Sequence, residues 1–252
     1  MELAFTQTEF GAFYYVEADL IGRALARGEF WDAHLRPWID AVPKGKTLVD
    51  VGACLGFFTI YAALRGVQVA AFEPCPELFG LLEQNVAANG VERLVTRHRT
   101  ALYDERCILV KNRKQTLSVY PELPDGRMDF EKVTNSGQLC LLPSKLAPSQ
   151  PGPEPYLLEA SRLDDFSFAD VALIKTDAQG CDLRILEGGR ETIRRHRPVI
   201  CTEFEAELAV THDDTRQGYL EFFAGIGYEV VAELHPDPGR YDTYVEFVAV
   251  PK

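Results

Sequence analysis

The stretch TLVDVGACLGFFTIYAA, residues 47–63, decides the fold. Its first five residues read as a short buried strand; the run then breaks at Gly52, keeps a second glycine at Gly56, and continues with helical spacing. A plain core strand needs neither glycine. A strand that enters a helix across a glycine turn leaves backbone amides and the helix N-terminus facing out above the sheet, where a ligand can sit if no Cβ intervenes. In an open α/β sheet that position lies at the carboxyl ends of the strands.

Downstream, VQVAAFEP reads as a second strand stopped by Pro74, and PELFGLLEQNVAANG as a helix with Pro76 and Glu77 at its start and Asn89-Gly90 at its stop. LVTRHRTAL reads as a third strand. Strand, helix, strand, helix, strand implies a parallel sheet with right-handed crossovers. The pattern lapses over about 106–160, where 106–119 suggests irregular strands and PSKLAPSQPGPEP, residues 143–155, a proline-rich loop long enough to act as a lid. It resumes with the strand VALIKTD, the helix DLRILEGGRETIRRHR, the strand PVICTEF, the helix DDTRQGYLEFFAGIG, and a closing strand pair, YEVVAEL and YVEFVAV. Upstream, 19–39 reads as helix, broken near Gly28. The expectation is an α/β chain with about seven strands in one sheet: an N-terminal helical cap at 1–45 and a Rossmann-like domain at 46–252 carrying the insertion.

The chain has 252 residues and a formal charge of −12, which argues against a nucleic-acid partner, since phosphate contacts need a cationic face. Arg194, Arg195 and Arg197 read instead as complements to a helix carboxyl end. Six scattered cysteines form no CxxC pair and read as free thiols of a reducing compartment. MELAFTQTEF has no signal-peptide pattern, and no apolar run approaches the ~20 residues of a membrane helix. These features predict a cytoplasmic protein with no membrane partner. Its oligomeric state is left open, a homodimer included.

Glu73 ends the second strand, 21 positions after Gly52, where an acid can accept both hydroxyls of a ribose. A glycine turn followed by a strand-end acid points to an adenosine-containing cofactor. A dinucleotide needs GxGxxG, but the second glycine position here is Cys54, whose side chain crowds a pyrophosphate. S-adenosylmethionine carries no phosphate, and its amino-acid part can bond to the turn backbone and to Asp50. The residues therefore favour S-adenosylmethionine over NAD.

The segments VDVGACLGFFT, FEPCPELFGLLEQNVAANG, VALIKTDAQGCDLRILEGG and RPVICTEFE resemble the FkbM-type S-adenosylmethionine-dependent methyltransferases. That family's pattern is roughly VDVGANxGxFT, then FEPxPxxxxxLxxNxxxN, then LIKIDVEGxE before a helix. This chain departs by Cys54 for asparagine and by Gln179 and Asp182 for glutamates. The resemblance implies a class I methyltransferase fold with an antiparallel last strand, and methyl transfer to a hydroxyl of a small molecule, sugar or secondary metabolite, leaving S-adenosylhomocysteine. Carried over by position, it implies that Asp50, Gly52, Ala53 and Gly56 hold the methionine moiety and Glu73 the ribose. Pro74, Thr100, Ala101 and Asp104 border the base, with Asp104 a partner for its exocyclic amine. Asp177 and Gln179 face the methyl.

Methyl transfer from a sulfonium is an in-line displacement that needs alignment and a group to take the acceptor's proton. Only residues above the carboxyl ends of the strands can serve. Asp177, Glu203, Glu205, His212 and His235 meet that condition. Each also has a plain reading, as a turn cap for Asp177, a surface charge for one of the glutamates, and a loop residue for the histidines. His196 falls at the opposite edge, His98 reads as packing within its strand, and His34 as stacking on Trp31 or Trp38. Lys175 reads as a solvated or paired edge residue. Asp177 with Asp213 or Asp214 is an oxygen set that magnesium accepts, but nothing in the spacing demands a metal, and none is expected. FGAFYY, Trp31 and Trp38 read as rings covering one face of the sheet, the alternative being a lid over the cofactor or acceptor, with Tyr14, Tyr15 and Glu29 as further candidates for that roof. Two rival functions remain open: an NAD-linked oxidoreductase, and a cofactor-binding module without catalysis, the latter because of Gln179 and Asp182.

Overall fold

The computed structural model describes residues 3–111, 123–125, 127, 129, 134, 135, 137, 139–145, 157–240 and 243–252. The strand at the centre of the argument is β3 (Thr47–Val51), preceded by β1 (Ala4–Thr8), β2 (Gly11–Tyr15), α1 (Leu20–Ala26) and α2 (Arg36–Asp40). After it come α3 (Phe57–Ala63), β4 (Gln68–Phe72), α4 (Pro76–Ala88), β5 (Val95–His98), β6 (Ala101–Leu102), β7 (Cys107–Lys111), β8 (Leu141–Pro143) and β9 (Leu158–Ser161). The remainder is β10 (Val171–Thr176), α5 (Asp182–Glu187), α6 (Arg190–His196), β11 (Val199–Glu205), α7 (Ala206–Ala209), α8 (Arg216–Gly225), β12 (Tyr228–Leu234) and β13 (Tyr244–Pro251).

The main sheet runs β12-β13-β11-β10-β3-β4-β5. β5, β4, β3, β10 and β11 are parallel, and β13 is antiparallel to both its neighbours. Every residue of β3 is buried, as a central strand covered on both faces requires. Alternate side chains go to opposite faces. Leu48, Val69 and Ala71 join a core formed with α1–α4, while Val49, Val51, Ala70 and Phe72 join one formed with α5, α6 and α8. Because β13 runs backwards, its first residues lie at the same edge as the last residues of the parallel strands: Glu246 is opposite Glu203, and Tyr244 opposite Glu205.

The amino-terminal segment corrects the expected helical cap. It opens with an antiparallel hairpin, β1 and β2, before the helices at 20–26 and 36–40. The hairpin is held by two side chains one turn apart at the carboxyl end of α4, Asn85 within it and Asn89 as its C-cap. Asn89 Oδ1 accepts from Ala12 N at 2.8 Å and its amide donates to Ala12 O at 2.7 Å. Asn85 treats Tyr14 in the same way, at 2.6 and 3.0 Å, and also donates to Leu55 O at 2.9 Å. A spacing of four on a helix matches a spacing of two on a strand, so both amides meet backbone groups on one edge of β2.

The expected single sheet is also incomplete. β6, β9, β7 and β8 form a second four-stranded sheet within and beside the insertion. Most of the proline-rich stretch at 143–155, including 146–155, lies outside the described residues.

Candidate active site

A cavity of about 470 Å³ opens above the carboxyl ends of β3, β4, β10 and β11. Ligand pockets commonly span about 300–1,000 Å³. Its floor is the glycine turn. Gly52 has φ +73°, and a Cβ there would lie 1.9 Å from the Asp177 carbonyl oxygen; Gly56 has φ +93°, and its Cβ would meet Leu82 at 2.6 Å. Both glycines are thus demanded by the chain's own packing, with a positive φ that glycine adopts without penalty. Packing alone is thus a sufficient reason for both: what approaches Gly52 is the backbone leaving β10. The amides of Gly52 and Ala53 both donate to Phe72 O, at 3.0 Å each, so they too are used internally.

Glu73 lies at the end of β4, buried in the wall. Its Oε2 accepts from Cys54 N at 2.9 Å and its Oε1 from Cys75 N at 2.8 Å. Burial pushes its carboxyl up to about 7, against the pull of the Cys75 and Cys54 amides. Each oxygen retains acceptor capacity, since a carboxylate oxygen carries two lone pairs. Beyond Glu73 the wall is apolar, formed by Phe72, Leu78, Leu102, Leu109, Leu141 and Ile185, and Pro74, Thr100 and Ala101 border it. The second sheet supplies Leu102, Leu109 and Leu141, which explains why the insertion matters to the site.

The opposite end is charged. Lys175 is buried in the central strand β10, not at an edge, with its Nζ 3.6 Å from both Asp50 and Asp177 and 5.2 Å from the Phe58 ring centroid. Burial opposes its charge, and the Asp177 and Asp50 carboxylates outweigh it, holding the ammonium above the ordinary lysine value. Gln179 adopts φ +52°, a left-handed conformation rare for a residue with a Cβ. Its Nε2 donates to Asp177 Oδ1 at 2.8 Å and to Glu203 Oε2 at 3.3 Å, while its buried Oε1 has no hydrogen-bond donor among the described residues. Desolvation, reinforced by Asp177, raises the Glu203 carboxyl well above its usual range. Asp182 ties the turn together, accepting from Ala178 N at 3.0 Å and Gly180 N at 3.3 Å. It is buried, outside the cavity wall, and acts as a brace for the Asp177–Gln179 turn.

Of the sequence-predicted residues, Gly52, Ala53, Glu73, Pro74, Thr100, Ala101, Asp177 and Gln179 line the cavity, as do Glu203 and Glu205. Five predicted residues do not. Asp50 is fully buried under the floor, where it accepts from Thr59 Oγ1 at 2.6 Å and faces Lys175. Gly56 is turned to Leu82. Asp104 faces a separate surface cleft and pairs with Arg184 at 3.4 Å. His212 is buried behind the wall, with Nδ1 3.1 Å from Tyr103 Oη and Nε2 3.5 Å from Cys181 Sγ. Burial, then the Arg184 charge, lowers its pKa to about 4, which suits a neutral packing histidine rather than a base. His235 is not in the wall, although Pro236 and Asp237 are. Asp214 pairs with Arg184 at 2.8 Å, and among the described residues no group of three or more His, Cys, Asp or Glu could hold a metal.

Sequence reasoning missed Asp32, Arg240 and Tyr244, all of which line the cavity. Asp32 and Trp31 line the cavity, whereas Glu29 pairs with Arg27 and Tyr14 packs on Phe5. His34, read as a stacking residue, instead meets Glu246 at 3.0 Å. Burial pushes the Asp32 carboxyl up to about 7, with Glu246 and Asp177 adding to the shift. The antiparallel last strand was the available signal for Tyr244, because such a strand must begin at the functional edge.

A sequence profile described as the Methyltransferase FkbM domain matches residues 50–230. The chain is 26% identical over 223 residues to 31-O-demethyl-FK506 methyltransferase FkbM of Streptomyces tacrolimicus, covering 81% of this chain and 80% of that one. It is 27% identical over 196 residues to a tRNA (guanine(37)-N(1))-methyltransferase of Danio rerio, covering 71% of this chain but only 39% of that protein. Among solved structures, methyltransferase FkbM from Methylobacillus flagellatus superposes with a TM-score of 0.49 at 17% identity, over 80% of this chain and 43% of that one. Trm5b from Pyrococcus abyssi superposes at 0.52 with 12% identity, over 98% of this chain and 55% of that one, a likeness of fold. The match over 50–230 establishes that the chain belongs to the FkbM-domain methyltransferase family.

Proposed function

We propose that the protein is an S-adenosylmethionine-dependent O-methyltransferase acting on a hydroxyl of a small molecule. The observation that carries this is Glu73, fixed by two backbone amides at the end of β4 beside the glycine turn, with an apolar wall beyond it. The residues fit the cofactor: Glu73 offers oxygens to a ribose, the Phe72–Leu78–Leu102 surface suits a flat base, and the carboxylates of the far end suit a cation. With the amides of Gly52, Ala53 and Cys54 used internally, the turn meets the amino-acid part through its carbonyls and its surface.

S-adenosylmethionine, when bound, supplies a methyl group activated on a sulfonium. Asp177 stands at the exit of β10, oriented by the Gln179 amide and facing Lys175. With the acceptor hydroxyl set against that methyl group, the Asp177 carboxylate would be the group to take the hydroxyl proton. Lys175 stands 3.6 Å from that carboxylate and faces it as a counter-charge.

A tRNA acceptor, suggested by relatives that carry that name, meets two obstacles: the charge of −12 and carboxylates where a phosphate backbone would need cations. The test is calorimetric titration with S-adenosylhomocysteine and NAD, followed by transfer of labelled methyl to a metabolite extract and to bulk tRNA. Binding of S-adenosylhomocysteine and label in small molecules supports the reading. Tight NAD binding alone, or label confined to tRNA, refutes it.

A further inference from the structure

Six carboxylates and two cations line the cavity among the described residues. Glu73 is occupied by backbone amides. Lys175 is shared by Asp50 and Asp177, and Arg240 donates to Glu205 at 2.6 Å. Asp237, at the rim, is exposed and caps its own turn at Gly239 N. Asp32 and Glu203 make no direct ion pair among the described residues, although the charges of His34, which meets Glu246 at 3.0 Å, and of Lys175 reach Asp32. Both are close enough to Asp177 and Glu246 to feel their charge, and the Tyr244 phenol is surrounded by the same four carboxylates. Asp32 and Glu203 therefore belong to one group, at the end of the cavity away from the apolar wall.

A second observation points to a ligand at this end. Gln179 is more than nine-tenths buried, lines the cavity, and has its amide nitrogen committed to Asp177 and Glu203, while Oε1 has no donor among the described residues. Buried acceptors are normally satisfied, and an unsatisfied one marks a place where a donor arrives. Three of the described non-glycine residues with positive φ, Asp32, Cys54 and Gln179, line this one cavity. Such strain is tolerated where geometry serves a function.

We propose that the acceptor is a small amino alcohol whose protonated amine docks against Asp32 and Glu203 near Trp31, leaving its hydroxyl to receive the methyl group. The inference rests on the methyltransferase reading of the same cavity. A protonated amine is a pure donor, as Asp32, Glu203 and Gln179 Oε1 all require. The cavity carries six carboxyl groups against two cations, and the cofactor adds one net positive charge; a bound amine would favour the ionised forms of Asp32 and Glu203, which burial disfavours, whereas an acidic acceptor would add to the repulsion. Trp31 lines the same cavity, and an aromatic ring near carboxylates is a common neighbour for an ammonium group.

The test uses the full chain loaded with S-adenosylhomocysteine, its binding first verified by calorimetry so that failure of the cofactor reading is seen separately. Saturation-transfer NMR then compares matched probes: glucosamine, glucose and glucuronate, and 2-aminocyclohexanol, cyclohexanediol and 2-hydroxycyclohexanecarboxylate. The expected result is binding of the amines at least about tenfold tighter than of their neutral or acidic counterparts, lost in Asp32→Asn and in Glu203→Gln while both variants still bind S-adenosylhomocysteine. The inference is overturned if neutral or acidic probes bind as well as the amines, if no amine binds, or if both variants retain the preference.

Discussion

Glu73 Oε2 accepts a hydrogen bond from the backbone N–H of Cys54 at 2.9 Å, so the acid that ends β4 is tied to the glycine turn that ends β3. The second oxygen is tied to Cys75 N. The carboxylate is therefore held in place before any ligand arrives, and a sugar bound there would meet oxygens that no longer need to be ordered. Replacing Glu73 with Ala should weaken S-adenosylhomocysteine binding by about 1.5–3 kcal/mol, the scale of hydrogen bonds to a charged group, read by calorimetry. An unchanged affinity would remove Glu73 from the cofactor site.

The same residue predicts a pH effect. Its carboxyl titrates near 7 in the fold against an ordinary value of 4.5, so below that value it costs nothing, and as pH rises toward 7 the native state must give up a proton it prefers to hold. Glu73→Gln should thus gain stability relative to the parent between pH 5 and pH 8. Cofactor affinity should move the other way: it rises through pH 7 in the parent, as the carboxylate ionises, and stays flat in Glu73→Gln. Denaturant melts and titrations at matched pH values measure both. His212 has the opposite sign, because its pKa falls to about 4; the stability it contributes is lost as pH drops from 6.5 toward 4.

Lys175 sits between Asp50 and Asp177 in the central strand, and Asp50 is fully buried. Lys175→Ala should destabilise the chain by about 3–5 kcal/mol, since a buried carboxylate loses its counter-charge. The double variant Lys175→Met, Asp50→Asn should recover part of that loss in urea denaturation. Failure to recover any would mean that the lysine's packing on Phe58, and not its charge, is the source.

Asn85 and Asn89 give a prediction away from the chemistry. Asn85→Ala removes three hydrogen bonds and leaves both backbone groups of Tyr14 without their side-chain partner. At about 1 kcal/mol for each bond, stability should fall by roughly 2–3 kcal/mol. Hydrogen exchange should accelerate first in residues 4–15, ahead of the main sheet. Uniform acceleration would contradict a separately docked hairpin.

How far the sequence could be read follows from the range of the forces involved. The βαβ core was legible because glycine turns, helix stops and buried strands are local signals: β3, α3, β4 and α4 lie where TLVDV, GFFTIYAA, VQVAAF and PELFGLLEQNVAA place them. Glu73 and Asp177 were legible as strand-end acids. The hairpin was not, because its strands are held by Asn85 and Asn89, more than 70 residues away. Nor was the fate of Lys175, which a single-strand reading puts at an edge and the sheet order puts at the centre. Glu203 was legible as a strand-end acid, but Asp32 and Tyr244 reach the same cavity only through the tertiary fold. His212 satisfied the strand-end rule yet turns to Tyr103 and Cys181, because edge position alone does not set a side chain's direction.

Cys54 shows a legible departure with a physical cause. It adopts φ +51°, a region where asparagine is tolerated better than cysteine, and asparagine is the residue that the family pattern carries there. Cys54→Asn should preserve S-adenosylhomocysteine affinity and leave stability unchanged or higher by up to ~1 kcal/mol, measured by thermal and denaturant melts.

The most direct test is a crystal structure of the full chain with S-adenosylhomocysteine. The prediction is a ribose on the Glu73 carboxylate, the base against Phe72, Leu78 and Leu102, and the sulfur turned toward Asp177 and Gln179. A nucleoside lodged away from Glu73, or a Glu73 carboxylate that stays bonded to Cys54 and Cys75 alone with the ligand in place, would contradict it.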